Sequence, residues 1–264
     1  MSETPRILIL AGRRSATLDP LAAKLGVSHK ALVPVAGEAM VGRVLRIAAE
    51  AFPKSPLFVS VEDFAIIASE PTVARLHAEG RLTPIEAEHH IVDSVVEASR
   101  TTGFPLILCT ADNVLMSVEG FRAIAEAGAA PGIDGVVMMA EKRDILAAHP
   151  DGQRRFYAFR GGAYSNCNLF WLSSANAFKA IESFRYGGQF AKRKTDAVRA
   201  LGLTALFLYA SRLLTLDGMF RHFSRRFGVG IRALVAKDGR LAIDVDNERT
   251  HRVAEEIIGR ETRA

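Results

Sequence analysis

Residues 6–12 read RILILAG: a run of five, 6–10, four of them Ile or Leu, stopping at Ala11 and Gly12. A run this short, apolar on both alternating faces and closed by a glycine, predicts a buried strand of a parallel sheet that enters a loop. The pattern recurs at 57–61 and at 104–110, where the apolar run stops at Ala111-Asp112, and again at 135–140 and 231–236. Between these runs the period changes to that of a helix. Residues 38–51 carry Met40, Val41, Val44, Leu45, Ile47 and Ala48 on one stripe ahead of Pro53, and 93–100 and 118–127 repeat it, with Asp93 or Ser94 as a cap for the former,. A helix broken near Pro71 is expected over 62–79, and a brief strand at 83–86. This β-α-β alternation predicts an α/β fold with a mainly parallel central sheet and helices on both faces.

The second half is less regular. Strands are expected at 155–160 and 168–172, a helix at 174–184, two basic amphipathic helices across 190–227, a strand at 242–245 and a helix at 248–259. The stretch 13–29 shows no periodicity, and 31–35 precedes a turn at Gly37. No repeat or low-complexity tract is present, so 1–264 is expected to form a single domain with a basic helical insertion at about 185–232,.

Composition bounds the function. A hydrophobic fraction of 49% with 24% charged residues excludes disorder and coiled coil,. Two cysteines, Cys109 and Cys167, are too few for a disulfide scaffold or a structural zinc, which fits a reducing cytoplasm,. The opening MSETPRILIL lacks the basic head of a signal peptide, so export is not expected,.

Net charge is +5 and unevenly placed: residues 185–232 hold ten basic side chains against Asp196 and Asp217, which leaves the remainder net acidic. Local charge of this kind points to an anionic ligand or surface, whereas no nucleic-acid motif accompanies it. A solvated helical face is the bland alternative. The apolar side of 201–227 is open to core packing, a homodimer contact or an anionic membrane surface, with core packing favoured because amphipathic stripes are more often buried,.

Ligands of an open α/β sheet bind beyond the carboxyl ends of its strands. Gly12, with Ala11 before it, ends the first strand as a close-approach glycine, and Arg13, Arg14 and Lys30 follow as cations able to clasp a polyphosphate,. Neither a Walker A nor a GxGxxG loop is present,. Asp112 sits at the mouth of the third long strand, where a cap or an Asx turn is the alternative. Asp244 and Asp246 are two apart and share one side of their strand, and Asp246 is placed to reach a cation that Asp112 also reaches,. An oxygen-only pair suits magnesium.

The motifs ILILAGRR at 7–14, HKALVPVAGEAMVGRVL at 29–45, LILCTADNVLMS at 106–117 and IDVDNERTHRVAEEI at 243–257, in that order, resemble the NTP-transferase superfamily. The likeness spans nearly the whole chain and leans to the molybdenum-cofactor nucleotidyltransferase-like branch, beside sugar-phosphate and methylerythritol-phosphate cytidylyltransferases. It implies a Rossmann-like nucleotidyltransferase fold and transfer of an NMP from an NTP, with CTP or GTP favoured, to a phosphate-bearing acceptor with release of pyrophosphate. Arg14 and Lys30 would be the catalytic cations, with Arg13 as the substitute for Arg14. Ala11, Gly12, Arg13 and Ser94 would bind nucleotide, Asp112 and Asp246 would hold Mg2+, and Asn168 in YSNCNLFWL would contact the acceptor. The basic segment, Lys194 included, would bind the acceptor's phosphate or lie peripherally on the inner membrane face if the acceptor is a lipid. In this family the first loop reads LAGG, whereas Gly12 is followed directly by Arg13-Arg14, which motivates an alternative: a nucleotide-binding regulatory module that has lost transfer. A nucleotide-sugar-dependent glycosyltransferase is a further alternative, disfavoured because the DxD at 244–246 lies near the chain end and not in its middle.

Overall fold

The computed structural model describes residues 4–13, 17–181 and 209–262. Among them the strands are β1 (Arg6–Leu10), β2 (Pro34–Val35), β3 (Glu38–Ala39), β4 (Leu57–Val61), β5 (Leu82–Glu86), β6 (Leu106–Thr110), β7 (Gly135–Glu141), β8 (Tyr157–Phe159), β9 (Gly162–Leu172) and β10 (Ile231–Ala236). The helices are α1 (Pro20–Lys24), α2 (Met40–Ala51), α3 (Pro71–Ala78), α4 (Ile91–Thr102), α5 (Val118–Gly128), α6 (Lys142–Ala148), α7 (Phe178–Ile181), α8 (Leu216–Phe227) and α9 (Glu248–Glu261).

The main sheet runs β10-β7-β9-β6-β1-β4-β5, with β8 hydrogen-bonded to β9. β1 pairs in parallel with β4 and β6, β4 with β5, and β10 with β7, while β9 is antiparallel to its neighbours β6, β7 and β8. Both faces are covered, which is why the strands are nearly continuous apolar runs. Ile7, Ile9, Ile107 and Cys109 pack on one side with Val41 and Val44 of α2 and Phe121 of α5. Leu8, Leu106 and Leu108 pack on the other with Val95 and Ala98 of α4. From β1 the chain moves outward through β4 and β5, then returns to β6 on the opposite side of β1. That reversal opens a crevice beyond the carboxyl ends of β1 and β6.

Several sequence expectations need correction. Residues 242–245 form no strand: Asp238 caps a 3-10 turn at Gly239–Ala242, and the residues after it are tied through the main chain by Val245 N–H to the carbonyl of Asp112 at 2.9 Å. α4 begins at Ile91, two residues before its expected start, so Ser94 lies inside its first turn and is no cap. The helix expected over 62–79 is a 3-10 turn at Phe64–Ile66 followed by α3, with Pro71 as its first residue. Residues 174–184 open with a 3-10 turn at Ala175–Ala177, capped by Ser174, before α7. Short helices α1 and α6 were not expected; Asp19 caps α1 by accepting from the main chain of Leu21 and Ala22. The turn at Gly37 joins β2 to β3 as a tight hairpin, with φ of 51° at Ala36 and 83° at Gly37, the pair of positive values such a turn requires,.

Of the two basic helices, the first and Lys194 lie outside the described residues, as does Arg14. The apolar face of α8 packs inward: Met219 and Phe223 meet Phe159, Tyr209 and Leu214. No helix among the described residues is long and apolar enough to cross a membrane.

Candidate functional site

The crevice holds a cavity of about 330 Å³. Its walls come from the loop after β1, the segment carrying Lys30, the ends of β4 and β6, the turn 87–89, α4, and Asp246. Ala11 and Gly12 form one edge. The N–H of Ala11 donates to the carbonyl of Ser60 at 2.8 Å, and a Cβ on Gly12 would fall 2.8 Å from the Cβ of Ala87. Glycine is therefore required by a close approach, made here to the turn 87–89. Ser94 holds that turn from the other side: its hydroxyl accepts from the N–H of Glu88 at 2.8 Å and lies 3.2 Å from the carbonyl of the same residue. Its oxygen thus shapes the wall of the cavity.

At the mouth, Lys30 lies at the start of a 3-10 turn, Lys30–Leu32, capped by His29. Its ammonium donates to Oδ2 of Asp112 and to Oδ1 of Asp246, each at 2.8 Å. Burial works against the lysine's charge, but the two carboxylates outweigh it and hold its pKa above the ordinary value. Asp112 lies two residues beyond the end of β6 and is anchored by its neighbour. The side-chain amide of Asn113 donates to the carbonyl of Cys167 and, at 3.3 Å, to that of Leu241, tying β6 to β9 and to the turn before Asp244.

Asp244 completes the cluster, with carboxylate oxygens of Asp112, Asp244 and Asp246 within 4.8 Å of one another. Burial first, and then Asp112 and Asp246, push its carboxyl up to about 7, against the pull of Lys30. The three carboxylates fit a magnesium ion. Oδ1 of Asp112 is buried without a hydrogen-bond partner, and the donor set is all oxygen, as a hard cation needs,.

Asn168 sits beside this cluster and outside the cavity wall. It occupies a β-bulge of β9 with φ of 50°, a conformation that Asn tolerates better than most residues, and its amide points to Oδ2 of Asp244 at 3.4 Å,.

Glu62 was missed. It follows β4, and its Oε1 accepts from the main-chain N–H of Arg13 and, at 3.4 Å, faces that residue's Nε. Its Oε2 lies 3.4 Å from Nε2 of His29. His29 is 1% exposed, and its Nδ1 accepts from the N–H of Ala31 at 3.1 Å, so in the neutral ring the proton is on Nε2, facing Glu62,. Burial lowers the pKa of His29 against the pull of Glu62. Burial also opposes the charge of Glu62, yet main-chain donors, His29 and Arg13 overcome it and lower that pKa too. Glu62 thus links the first loop to the turn that carries Lys30. The one local signal for it was position: an acid immediately after a buried strand, at the binding end of the sheet.

The structure brings Ala11, Gly12, Arg13, Lys30, Ser94, Asp112 and Asp246 around one cavity. No protein-family model matches the chain, and no curated protein does. Solved structures do match. A hypothetical transferase from Thermus thermophilus superposes with a TM-score of 0.76 at 23% identity, covering 94% of this chain and 100% of that one. A CMP:2-keto-3-deoxy-manno-octonic acid synthetase complexed with CTP gives 0.60 at 12% identity, covering 98% and 100%. A 4-diphosphocytidyl-2C-methyl-D-erythritol synthase from Anaerococcus prevotii gives 0.58 at 9% identity, covering 97% of each chain. At such identities the likeness is one of architecture, and the chain has the Rossmann-like nucleotidyltransferase fold.

Proposed function

We propose that this chain is a magnesium-dependent nucleotidyltransferase that moves an NMP from an NTP, CTP or GTP, to a phosphate-bearing acceptor. The observation that carries the reading is the placement of Lys30 between Asp112 and Asp246 at the mouth of the crevice between β1 and β6. The activities of structures that share the fold, among them a synthetase holding CTP, support it.

An oxygen of the acceptor's phosphate attacks the α-phosphorus, the bond from that phosphorus to the β-bridging oxygen breaks, and pyrophosphate leaves with the bonding pair. The acceptor is already anionic, so no general base is needed. Positioning and neutralisation of charge then supply most of the rate. Lys30 neutralises the triphosphate, with Arg14 as the second cation and Arg13 as its substitute. Asp112, Asp244 and Asp246 would hold the magnesium, which would supply positive charge to offset that of the phosphates,. Asn168 steadies Asp244 beside the acceptor, and Lys194 in the basic segment binds the acceptor's phosphate. Residues 1–264 act as one catalytic unit in a reducing cytoplasm.

Glu62 favours a second reading. It occupies the main-chain N–H and faces the guanidinium of Arg13, as a nucleotide-binding module without transfer could tolerate. Pyrophosphate release separates the two. An enzyme incubated with an NTP, magnesium and a panel of phosphorylated small molecules and lipid phosphates releases pyrophosphate and loses that activity in Asp112→Ala. A module shows a nucleotide-dependent rise in melting temperature and releases none.

A further inference from the structure

Lys30 holds two carboxylates at once. Its Nζ is 2.8 Å from Oδ2 of Asp112 and 2.8 Å from Oδ1 of Asp246, two of the three acids whose oxygens come within 4.8 Å of one another. The third, Asp244, is met by the amide of Asn168 at 3.4 Å. Oδ1 of Asp112 is enclosed, so Oδ2 is the oxygen that this side chain, 15% exposed, turns toward the mouth. The ammonium thus stands between the oxygens that a cation arriving from the crevice meets first.

A metal cannot share that place. Magnesium binds oxygen at about 2.0–2.1 Å, so an ion held by the same two oxygens lies within about 4 Å of the lysine nitrogen. A divalent and a monovalent cation that close, partly shielded from water, repel strongly. Either the metal stays out or the lysine leaves. The side chain is able to leave by itself, because the main chain around it is fixed: His29 caps the turn, and the N–H of Val33 donates to the carbonyl of Lys30 at 3.0 Å. The side chain is 24% exposed and lines the same cavity as Gly12 and Arg13, where a triphosphate offers the ammonium another anion.

We propose that Lys30 is the built-in counter-ion of the metal site, and that a divalent cation enters as the lysine exchanges the carboxylates for the phosphates of the nucleotide. Metal and NTP therefore load together. Either one alone meets a site closed by its own ion pairs, and each raises the affinity of the other by the same factor. This deepens the nucleotidyltransferase reading and rests on it.

Calorimetric titration with magnesium chloride alone, with no nucleotide present, tests the exchange. The wild-type chain binds the ion weakly. Lys30→Met, which keeps a stem of similar length without the charge, binds it at least about 10-fold more tightly. Lys30→Gln, neutral but polar, does the same. Asp112→Asn added to Lys30→Met abolishes the gain, which locates the ion at the carboxylates. Melting agrees: magnesium raises the melting temperature more in Lys30→Met than in wild type. Magnesium affinity that is equal in wild type and in both neutral variants, or a gain that survives Asp112→Asn, overturns the exchange, and pyrophosphate release by the wild type with NTP and magnesium then leaves the enzyme reading intact. A wild-type chain that releases no pyrophosphate and is stabilised by none of the four NTPs overturns the nucleotidyltransferase reading and the exchange with it.

Discussion

The ammonium of Lys30 lies 2.8 Å from Oδ2 of Asp112, and that one contact joins the segment after the first helix to the end of β6. Lys30 is the cation that allows three carboxylates to share the mouth of the crevice. In Lys30→Met the carboxylates repel one another without compensation, so the metal-free protein melts at lower temperature, and magnesium restores much of the loss. Pyrophosphate release falls by about 10²-fold or more, the scale on which a preorganised charge acts on a transition state. Melting with and without magnesium, beside the activity assay, checks both. A variant as stable as wild type in chelator would contradict the account.

His29 makes stability fall on the acid side. Its pKa in the folded protein is lowered from an unfolded value near 6.5. As pH drops through that value the unfolded chain takes up a proton that the buried native ring refuses, so acidification favours unfolding. The loss sets in between about pH 7 and pH 5 and precedes the one caused by Glu62. That carboxyl is also lowered, so its stabilisation is present above the ordinary carboxylate range and fails only at lower pH,. His29→Asn keeps an acceptor for the N–H of Ala31 and flattens the upper part of the profile. Melting temperature against pH for the two proteins reads out the difference.

Gly12 and Ala87 should behave as a pair. A Cβ on Gly12 would lie 2.8 Å from that of Ala87, so Gly12→Ala forces the first loop away from the turn 87–89. Overpacking of this kind costs about 1–3 kcal/mol, and the displaced wall weakens nucleotide binding. Ala87→Gly relieves the contact, and the double variant recovers most of the loss. A double-mutant cycle measures the coupling, and additive effects would rule the contact out as its cause.

Glu62→Gln keeps an oxygen for the N–H of Arg13 while removing the negative charge that faces its guanidinium. With that carboxylate gone the first loop becomes more favourable to an anion, and NTP affinity rises by a few-fold, more at low salt than at high. Calorimetry at two ionic strengths checks the sign. A fall in affinity would mean that Glu62 serves the ligand by fixing the loop.

Local pattern settled the parallel core. β1 and β4 begin and end where their apolar runs do, because a strand covered on both faces must be apolar throughout and its loops must not be, whereas β6 starts two residues inside the expected 104–110,. Gly12 and Asp112 could be placed at the binding end for the same reason. Short elements were harder to see: α1 spans five residues and α6 seven, too few for a helical period to stand out. Residues 242–245 read as a strand, yet Asp238 turns the chain and Val245 N–H bonds only to the carbonyl of Asp112, just beyond the end of β6.

The sequence by itself determined that the chain builds a parallel α/β sheet with cations and carboxylates beyond its strand ends, because period and side-chain type are local properties. Only the tertiary structure decided which charges meet. Asp244 joins Asp112 through the bond from Val245 N–H and the anchoring of Asn113. Glu62 meets His29 and Arg13 because β4 lies beside β1. Those meetings depend on strand order and register, which long-range packing sets and no window of sequence contains.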